Sequence, residues 1–309
     1  MSQTPLRIAT RNSPLALWQA HFIQAQLQNH WPNLAIELVP MTTSGDRFLN
    51  DNLQKLGGKG LFVKELEEAL LTHRADIAVH SMKDVPYAFP EGLHLPVICK
   101  RENPYDAFVS PHFACLDDLP PHATVGTSSL RRGAQLLAYR PDLTILPLRG
   151  NVGTRLSRLD QGNYDAIILA AAGLQRLNLH DRIRHLISEA LMLPACGQGA
   201  LGIECRTNDT MTQALIAPLH DDLDALCVNT ERTVNALLGG GCHTPVALFC
   251  QSPMSNELFL QAKIASLDGK TILSDSNRGQ TSAWEDLAHQ CAENLKKNGA
   301  HQLLSPPSS

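Results

Sequence analysis

The sequence predicts an α/β protein with two doubly wound domains flanking a cleft and a smaller α+β domain at the carboxyl end. Three observations predict this: apolar runs alternate with amphipathic segments, the alternation restarts near residue 124, and a strand-rich pattern follows Pro245. Alternating strands and helices are typical of mainly parallel sheets covered by helices. With 309 residues, the chain is long enough for two or three separate cores.

The predicted elements follow from hydrophobic periodicity. The first stretch contains strands at 6–10, 36–41 and 76–80 and helices at 14–29 and 61–72. The second contains strands at 124–126, 143–148 and 164–170 and helices at 130–139 and 152–160. We expect a strand at 202–205 to return to the first domain and a helix at 223–238 to end at a run of three glycines. The last domain is predicted to hold antiparallel strands at 246–249, 258–266 and 270–274 and a closing helix at 284–297.

Composition excludes several classes of protein. A net charge of −4 argues against a general nucleic-acid or anionic-membrane binder, which would carry a basic face. The start of the chain lacks a signal-peptide pattern and no apolar stretch approaches the ~20 residues of a membrane span, so we expect a cytoplasmic protein without membrane contact. The eight cysteines are scattered without a C-x-x-C pair, so neither a metal site nor a disulfide framework is predicted.

Arginine is concentrated in one segment. Nine of the 17 arginines lie between Arg131 and Arg184, where there is no lysine and only four acids. The guanidinium fork matches carboxylate or phosphate oxygens, so this clustering indicates a site for an anion. A solvated helix face is the competing interpretation, and we prefer it for Arg140, Arg158, Arg182 and Arg184.

Arg131 and Arg132 differ from those four because they fall in the first turn of a predicted helix, where the helix dipole disfavours cations. That local cost predicts a functional gain, namely an anion bound at the helix N-terminus. The same combination of arginine and helix start recurs at Arg149, Asn151 and Arg155, and at Arg11 with Ser13. In doubly wound sheets such strand ends face the ligand crevice.

Lys83 and Asp84 follow the predicted strand 76–80 and should project toward the same crevice. A carboxylate there could act as a general acid and base and could stabilise a developing cation. An ordinary turn before Pro86 is an equally good interpretation of the two residues alone. His80 is expected to be structural.

Two glycine-containing segments remain. Residues 57–62 lack the spacing of a phosphate-binding P-loop, and with Lys55 and Lys59 they are better interpreted as a lid over an acidic ligand. Cys242 follows the glycine run after a helix, where a cysteine taken alone is more often incidental than reactive.

Together these segments resemble the porphobilinogen deaminase family along nearly the whole chain. The resemblance rests on the motifs IATRNSPLA at 8–16, GGKGLF at 57–62, HSMKDVP at 80–86, GTSSLRR at 126–132, LRGNVGTR at 148–155, PACGQGALG at 194–202, and Gly241-Cys242. Gly239 and His243 depart from the family, which often has an acidic residue and a glutamine there.

The resemblance implies a transferase of porphyrin and haem biosynthesis that condenses four porphobilinogen molecules on a dipyrromethane cofactor. It implies a thioether from the cofactor to Cys242, a catalytic Asp84, and three domains at 1–99 with 200–217, 105–193, and 222–309. It also implies a monomer whose product passes to the next tetrapyrrole enzyme. The residues expected to bind the cofactor are Lys83, Asp84, Thr127, Ser128, Ser129, Arg131, Arg132, Arg149, Gly150, Asn151, Arg155, Ala170 and Gln198. Those expected to bind substrate are Arg11, Ser13, Arg149, Arg155 and Arg176, and those expected in the lid are Lys55, Lys59 and Phe62.

Two other functions remain open on the residues alone. Two wound domains around a cleft also describe periplasmic-binding-protein-like solute receptors and the effector domains of regulators, which bind anions without catalysis. A Schiff-base enzyme using Lys59 or Lys83 is the other, and it would need a lysine of lowered pKa.

Overall fold

The computed structural model describes residues 5–47, 63–241 and 244–304. The chain divides into two compact units. Unit 1 comprises Met1–Glu102 and Ala200–Ala225, and unit 2 comprises Asn103–Gly199 and Leu226–Ser309. Unit 1 is therefore discontinuous in sequence.

The strands, in chain order, are β1 Leu6–Arg11, β2 Ile36–Met41, β3 Ile77–Ser81, β4 Leu93–Ile98, β5 Asp106–Val109, β6 Thr124–Gly126, β7 Thr144–Leu146, β8 Ala166–Ala170, β9 His185–Ile187, β10 Leu201–Arg206, β11 Val246–Met254, β12 Glu257–Ala265 and β13 Ile272–Gln280. The helices are α1 Pro14–His30, α2 Ser44–Arg47, α3 Lys64–Leu71, α4 Leu130–Tyr139, α5 Val152–Asp160, α6 Ala171–Arg176, α7 Thr210–Ile216, α8 Asp222–Leu237, α9 Trp284–Lys297 and α10 Ala300–Leu304.

Unit 1 contains a five-stranded sheet in the order β2-β1-β3-β10-β4. β1 is parallel to β2 and β3, whereas β10 is antiparallel to both of its neighbours. Successive residues of β1 face opposite sides, so that Ile8 packs with Ile23 of α1 and Ala9 packs with Leu66 of α3. The sheet is thus covered by helices on both faces, as predicted, and β10 returns to it.

Unit 2 contains a second five-stranded sheet in the order β7-β6-β8-β5-β9. β6 is parallel to β7 and β8, and β5 is antiparallel to β8 and β9. Phe108 of β5 shares a core with Leu136 of α4, while Val109 packs on the other face with Leu156 of α5 and Leu174 of α6. This sheet is doubly wound as well.

The carboxyl-terminal part of unit 2 forms an antiparallel three-stranded sheet, β11-β12-β13. α8 and α9 cover one face of this sheet, with Val234, Leu260 and Leu295 in its core. β13 is paired with β12 along its whole length and runs beyond the predicted 270–274. Its exposed face carries Ser274, Ser276 and Arg278, and its half-buried face carries Asp275 and Asn277. These polar residues hid its continuation in the hydrophobic pattern.

Across the described ranges, the structure contains no helix that is both long enough and apolar enough to cross a membrane. The same part of the chain contains no group of three or more His, Cys, Asp or Glu side chains placed to hold a metal ion.

Candidate active site

In unit 1, the predicted site residues lie where β1 and β3 end. The two strands are parallel, with Ile8 beside Ile77, so their carboxyl ends reach the same edge of the sheet. Arg11 is the last residue of β1, and Ser13 caps α1 by accepting a hydrogen bond from the Ala16 backbone N–H at 3.3 Å. The predicted combination of an arginine and a capped helix start is therefore present.

Asp84 lies on a single 3₁₀ turn, Met82–Asp84, directly after β3. Met82 is buried and donates its backbone N–H to the Ala200 carbonyl at 3.0 Å. Ser81 accepts a 2.8 Å hydrogen bond from the buried amide of Gln19. Lys83 and Asp84 themselves are half-buried. A fixed backbone thus presents a partly exposed carboxylate at the same sheet edge as the end of β1.

His80 is buried, and its Nε2 lies 2.8 Å from the Glu204 carboxylate. It pairs with Gly202 across β3 and β10, so the contact joins the strand before Asp84 to its neighbour. A structural role was expected for His80, and its burial and this contact agree with it. Both Glu204 and His80 interact electrostatically with the carboxyl of Glu67. Burial and the charge of Glu204 raise the pKa of this carboxyl.

In unit 2, the Thr127-Ser128-Ser129 tripeptide forms the turn between β6 and α4. Ser129 caps α4 by accepting the Arg132 backbone N–H at 3.4 Å, and Thr127 Oγ1 accepts the Ser129 N–H at 3.2 Å. Ser128 Oγ both donates to and accepts from the backbone of Leu148, each at 3.0 Å. The three hydroxyl groups therefore fix the start of α4 and tie it to the residue before Arg149.

Arg131 and Arg132 both bind one buried carboxylate, Asp106. Arg131 Nη1 donates to Asp106 at 2.8 Å, and Arg132 donates through Nε at 3.0 Å and Nη2 at 2.7 Å. Burial alone would raise the pKa of Asp106, but the two guanidinium groups outweigh it and hold that pKa well below its usual range. From the sequence, we expected bound ligand carboxylates to offset both charges, whereas in the structure one carboxylate comes from the chain itself.

The cluster of Asp106, Arg131 and Arg132 still has capacity for an anion. Two cations and one carboxylate leave a net charge of +1 in a setting where the arginines are only 4% and 6% exposed. The Nε–H of Arg131 is buried and has no hydrogen-bond partner among the described residues. Buried donors and charges are costly when they are unpaired, so the cluster is suited to a further carboxylate.

The turn from Arg149 to Arg155 matches the prediction in detail. Asn151 caps α5 by accepting the Thr154 backbone N–H at 2.9 Å, and Arg155 Nε donates to the Gly150 carbonyl at 2.7 Å. Gly150 has a φ of +109°, and a Cβ at this position would lie 2.8 Å from the Thr154 side chain. Only glycine fits there, so the turn between the two arginines depends on its backbone freedom.

Ala170, Arg176 and Gln198 lie around the same cluster or on the segments that support it. Ala170 ends β8 and pairs with Asp106 in the sheet. Gln198 Nε2 donates to the Asp106 carboxylate at 3.1 Å, and the buried Arg176 donates to the Gly199 carbonyl at 2.8 Å. The segment that carries Gln198 is thus fixed to both the cluster and α6.

Four other predicted residues, Cys242, Lys55, Lys59 and Phe62, lie outside the described residues. The seven cysteines within the described ranges form no disulfide with one another, and five of them are buried. Burial raises the pKa of the Cys205 thiol to about 12 and raises that of Cys291 above its usual range. Neither of these two is suited to act as a thiolate nucleophile.

Asp106 and Glu204 were missed by the sequence reasoning. Each is a single acid within or directly before an apolar run, Asp106-Ala-Phe-Val and Gly-Ile-Glu204-Cys. A charge inside a buried strand is rare unless it is paired, and this pattern could have marked both residues.

Comparison with known proteins gives a consistent result. The family model for the dipyrromethane cofactor-binding domain of porphobilinogen deaminase matches residues 6–214, and the model for its C-terminal domain matches 225–297. Porphobilinogen deaminases from Legionella pneumophila strains Lens and Paris are each 57% identical over 305 residues, covering 99% of this chain and 99% of theirs.

Solved structures with a similar backbone include two binding proteins. The periplasmic substrate-binding protein of an ABC transporter from Coxiella burnetii is 13% identical with a TM-score of 0.45, covering 74% of this chain and 96% of its own. A nutrient-binding protein from Burkholderia cenocepacia, bound to methionine, is 14% identical with a TM-score of 0.43, covering 68% and 90%.

Proposed function

Because the chain belongs to the porphobilinogen deaminase family, we propose that it condenses four porphobilinogen molecules head to tail, releases ammonia at each step, and frees hydroxymethylbilane by hydrolysis. The observation that supports this most directly is the cluster of Asp106, Arg131 and Arg132, with its net positive charge and its unpaired Arg131 Nε–H. Every pyrrole unit of the substrate carries an acetate and a propionate, and such ligands need buried, oriented cations.

The family's cofactor, dipyrromethane, fits the residues of unit 2. Its carboxylates can be bound by Arg131 and Arg132 and by the free N–H groups at the starts of α4 and α5. Dipyrromethane supplies a free pyrrole α-carbon as the point of attachment for the growing chain. We assign its binding to Lys83 and Asp84 of unit 1 and to these residues of unit 2: Thr127, Ser128, Ser129, Arg131, Arg132, Arg149, Gly150, Asn151, Arg155, Ala170 and Gln198.

Cys242 is proposed to hold the cofactor through a thioether. Two other thiols are unsuited to this role, because Cys205 and Cys291 are buried and burial raises their pKa values. A sulfur nucleophile attacks an electron-poor carbon far more readily than a hydroxyl does, which fits a cysteine in this role.

Asp84 is proposed as the catalytic carboxylate. When ammonia leaves the aminomethyl group of porphobilinogen, the pyrrole becomes an azafulvenium cation, and a carboxylate near its N–H stabilises the positive charge. The ring that attacks this cation forms a new carbon–carbon bond through its free α-carbon and then loses a proton from that carbon, and the same carboxylate can take the proton. The buried anchor at Met82 and the Gln19–Ser81 hydrogen bond keep this turn in place, so Asp84 needs little reorganisation during the reaction.

We assign the binding of the substrate carboxylates to Arg11, Ser13, Arg149, Arg155 and Arg176. We assign Lys55, Lys59 and Phe62 to a lid over the bound substrate. We further propose that the enzyme works in the cytoplasm as a monomer and passes its product to the next tetrapyrrole enzyme. Native mass spectrometry of the purified protein and fractionation of cells test these two statements.

An intact mass of the purified protein tests the proposed function. A covalent excess equal to two pyrrole units, followed by stepwise additions on incubation with porphobilinogen, is the expected result. A non-catalytic anion-binding protein would show neither. Borohydride trapping of substrate on Lys59 or Lys83 would instead support Schiff-base chemistry.

A further inference from the structure

Asp106 lies at the start of an inner strand in the sheet of unit 2. It is the first residue of β5, which lies between β8 and β9, and its side chain is wholly buried. Because β5 is antiparallel to β8, Asp106 lies beside Ala170, at the sheet edge where β6 and β8 end. The carboxylate is therefore at the edge from which α4 and α6 begin.

Four N–H groups converge on this one carboxylate. Arg131 Nη1 binds Oδ2, while Arg132 Nε, Arg132 Nη2 and Gln198 Nε2 bind Oδ1. Arg131 and Arg132 are consecutive residues of a helix, so their side chains leave the helix axis in directions about 100° apart. Asp106 brings both guanidinium groups to one point in spite of that divergence.

Each of the two arginines also donates to a backbone carbonyl. Arg131 Nη1 donates to Leu193 at 2.6 Å, and Arg132 Nη1 donates to Ile168 at 3.0 Å. Carbonyl oxygens fix the direction of a donor but do not cancel its charge. Among the described residues, Asp106 is the carboxylate that forms ion pairs with these two arginines.

We propose that Asp106 is a positioning residue for the cofactor site: it holds the guanidinium groups of Arg131 and Arg132 in one orientation before any ligand binds. This inference rests on the proposed function. Asp106 lies outside the family motifs, and its proposed role is to form the site in the cofactor-free protein. Asp106 also sets the buried charge at +1, so that an incoming carboxylate completes the pairing.

The test compares variants of cofactor-free protein, produced in cells that cannot make porphobilinogen. Each protein is incubated with increasing concentrations of porphobilinogen, and intact mass reports the fraction that acquires the two-pyrrole mass. A positioning role affects the concentration that gives half-maximal loading. A purely structural role lowers only the fraction of protein able to load.

Asp106→Asn keeps the shape but loses the charge, and it turns an N–H donor toward the arginines. We expect its half-loading concentration to rise about tenfold or more, equivalent to about 1.4 kcal/mol, because the two guanidinium groups are no longer held in one orientation and must be ordered as the ligand binds. Asp76→Asn is the matched control, because Asp76 in unit 1 is likewise shared by two arginines, Arg7 and Arg206. It should lower stability and leave the half-loading concentration unchanged.

An unchanged half-loading concentration in Asp106→Asn, or an equal rise in Asp76→Asn, overturns the inference. Should Asp106→Asn fail to fold, Asp106→Glu decides the question, because it keeps the charge and displaces it by one methylene. A raised half-loading concentration in folded Asp106→Glu supports positioning, and a wild-type value overturns it. If the wild-type protein acquires no pyrrole mass at all, the proposed function fails and this inference with it.

Discussion

Arg132→Leu is expected to give a folded but less stable protein that carries no cofactor. The structure allows the stability cost to be worked out. The substitution removes two hydrogen bonds to a carboxylate and one to the Ile168 carbonyl. Hydrogen bonds to charged groups contribute about 1.5–3 kcal/mol each, but Asp106 keeps Arg131 and Gln198 as partners. A net loss of about 3 kcal/mol results, at the low end for breaking a buried ion pair.

Loss of the cofactor must be separated from loss of stability, and Arg206→Leu in unit 1 makes this possible. Arg206 is 7% exposed against 6% for Arg132, and its guanidinium group donates to Leu70, Ala75, Asp76 and Asp209. Its removal should cost a similar free energy of unfolding. No binding role is assigned to Arg206, so the folded fraction of this variant should carry the cofactor in full.

The assay combines urea unfolding of each cofactor-free protein with intact mass after incubation with porphobilinogen. Arg11→Leu and Arg176→Leu complete the series, since we expect both to keep the cofactor and to add substrate poorly. If Arg206→Leu loses the cofactor as completely as Arg132→Leu, the effect reflects stability alone. A fully loaded Arg132→Leu protein would refute the assignment of Arg132 to the cofactor.

Three further predictions concern other residues. Cys242→Ser should abolish the covalent excess in mass and nearly all activity, while single Ser variants of the other seven cysteines keep the excess; a full pyrrole mass on Cys242→Ser would contradict the attachment. Asp84→Asn should leave a folded, cofactor-bearing protein whose turnover falls by about 10² or more, with Asp84→Glu less affected, and a near-normal rate at saturating porphobilinogen would exclude the role. Glu67→Gln should stabilise the protein at pH 8 and much less near pH 4. Burial and the charge of Glu204 raise the pKa of the Glu67 carboxyl in the folded state. In the wild-type protein, the contribution of this carboxyl to stability is therefore fully present below its unfolded pKa of about 4 and is lost as pH rises through its folded pKa. Urea unfolding at the two pH values measures this, and an equal difference at both would contradict it.

The sequence predicted seven strands of the two wound sheets, namely β1, β2, β3, β6, β7, β8 and β10, and missed β4, β5 and β9. The helix starts carry strong local signals. Ser13, Ser129 and Asn151 were recognisable as helix caps, and each accepts a backbone N–H as its position implies. Such capping depends on residues three apart in the chain. The end of β13 was missed because the residues after Leu273 are polar or glycine on both faces, with Asp275 and Asn277 on the half-buried side.

The partner of Arg131 and Arg132 could not be predicted, because Asp106 lies 25 and 26 residues earlier and the pairing depends on the order of the strands. From the sequence alone, two cations at a helix N-terminus required an external anion. With Asp106 in place, most of the cost of burying two arginines is offset within the protein. In the proposed cofactor site, the ligand carboxylate therefore contributes less, and more specifically, than the sequence suggested, because Asp106 already reduces the net charge of the cluster to +1. A site formed in this way can select its ligand by the direction of the Arg131 Nε–H, whereas two uncompensated cations would attract any anion.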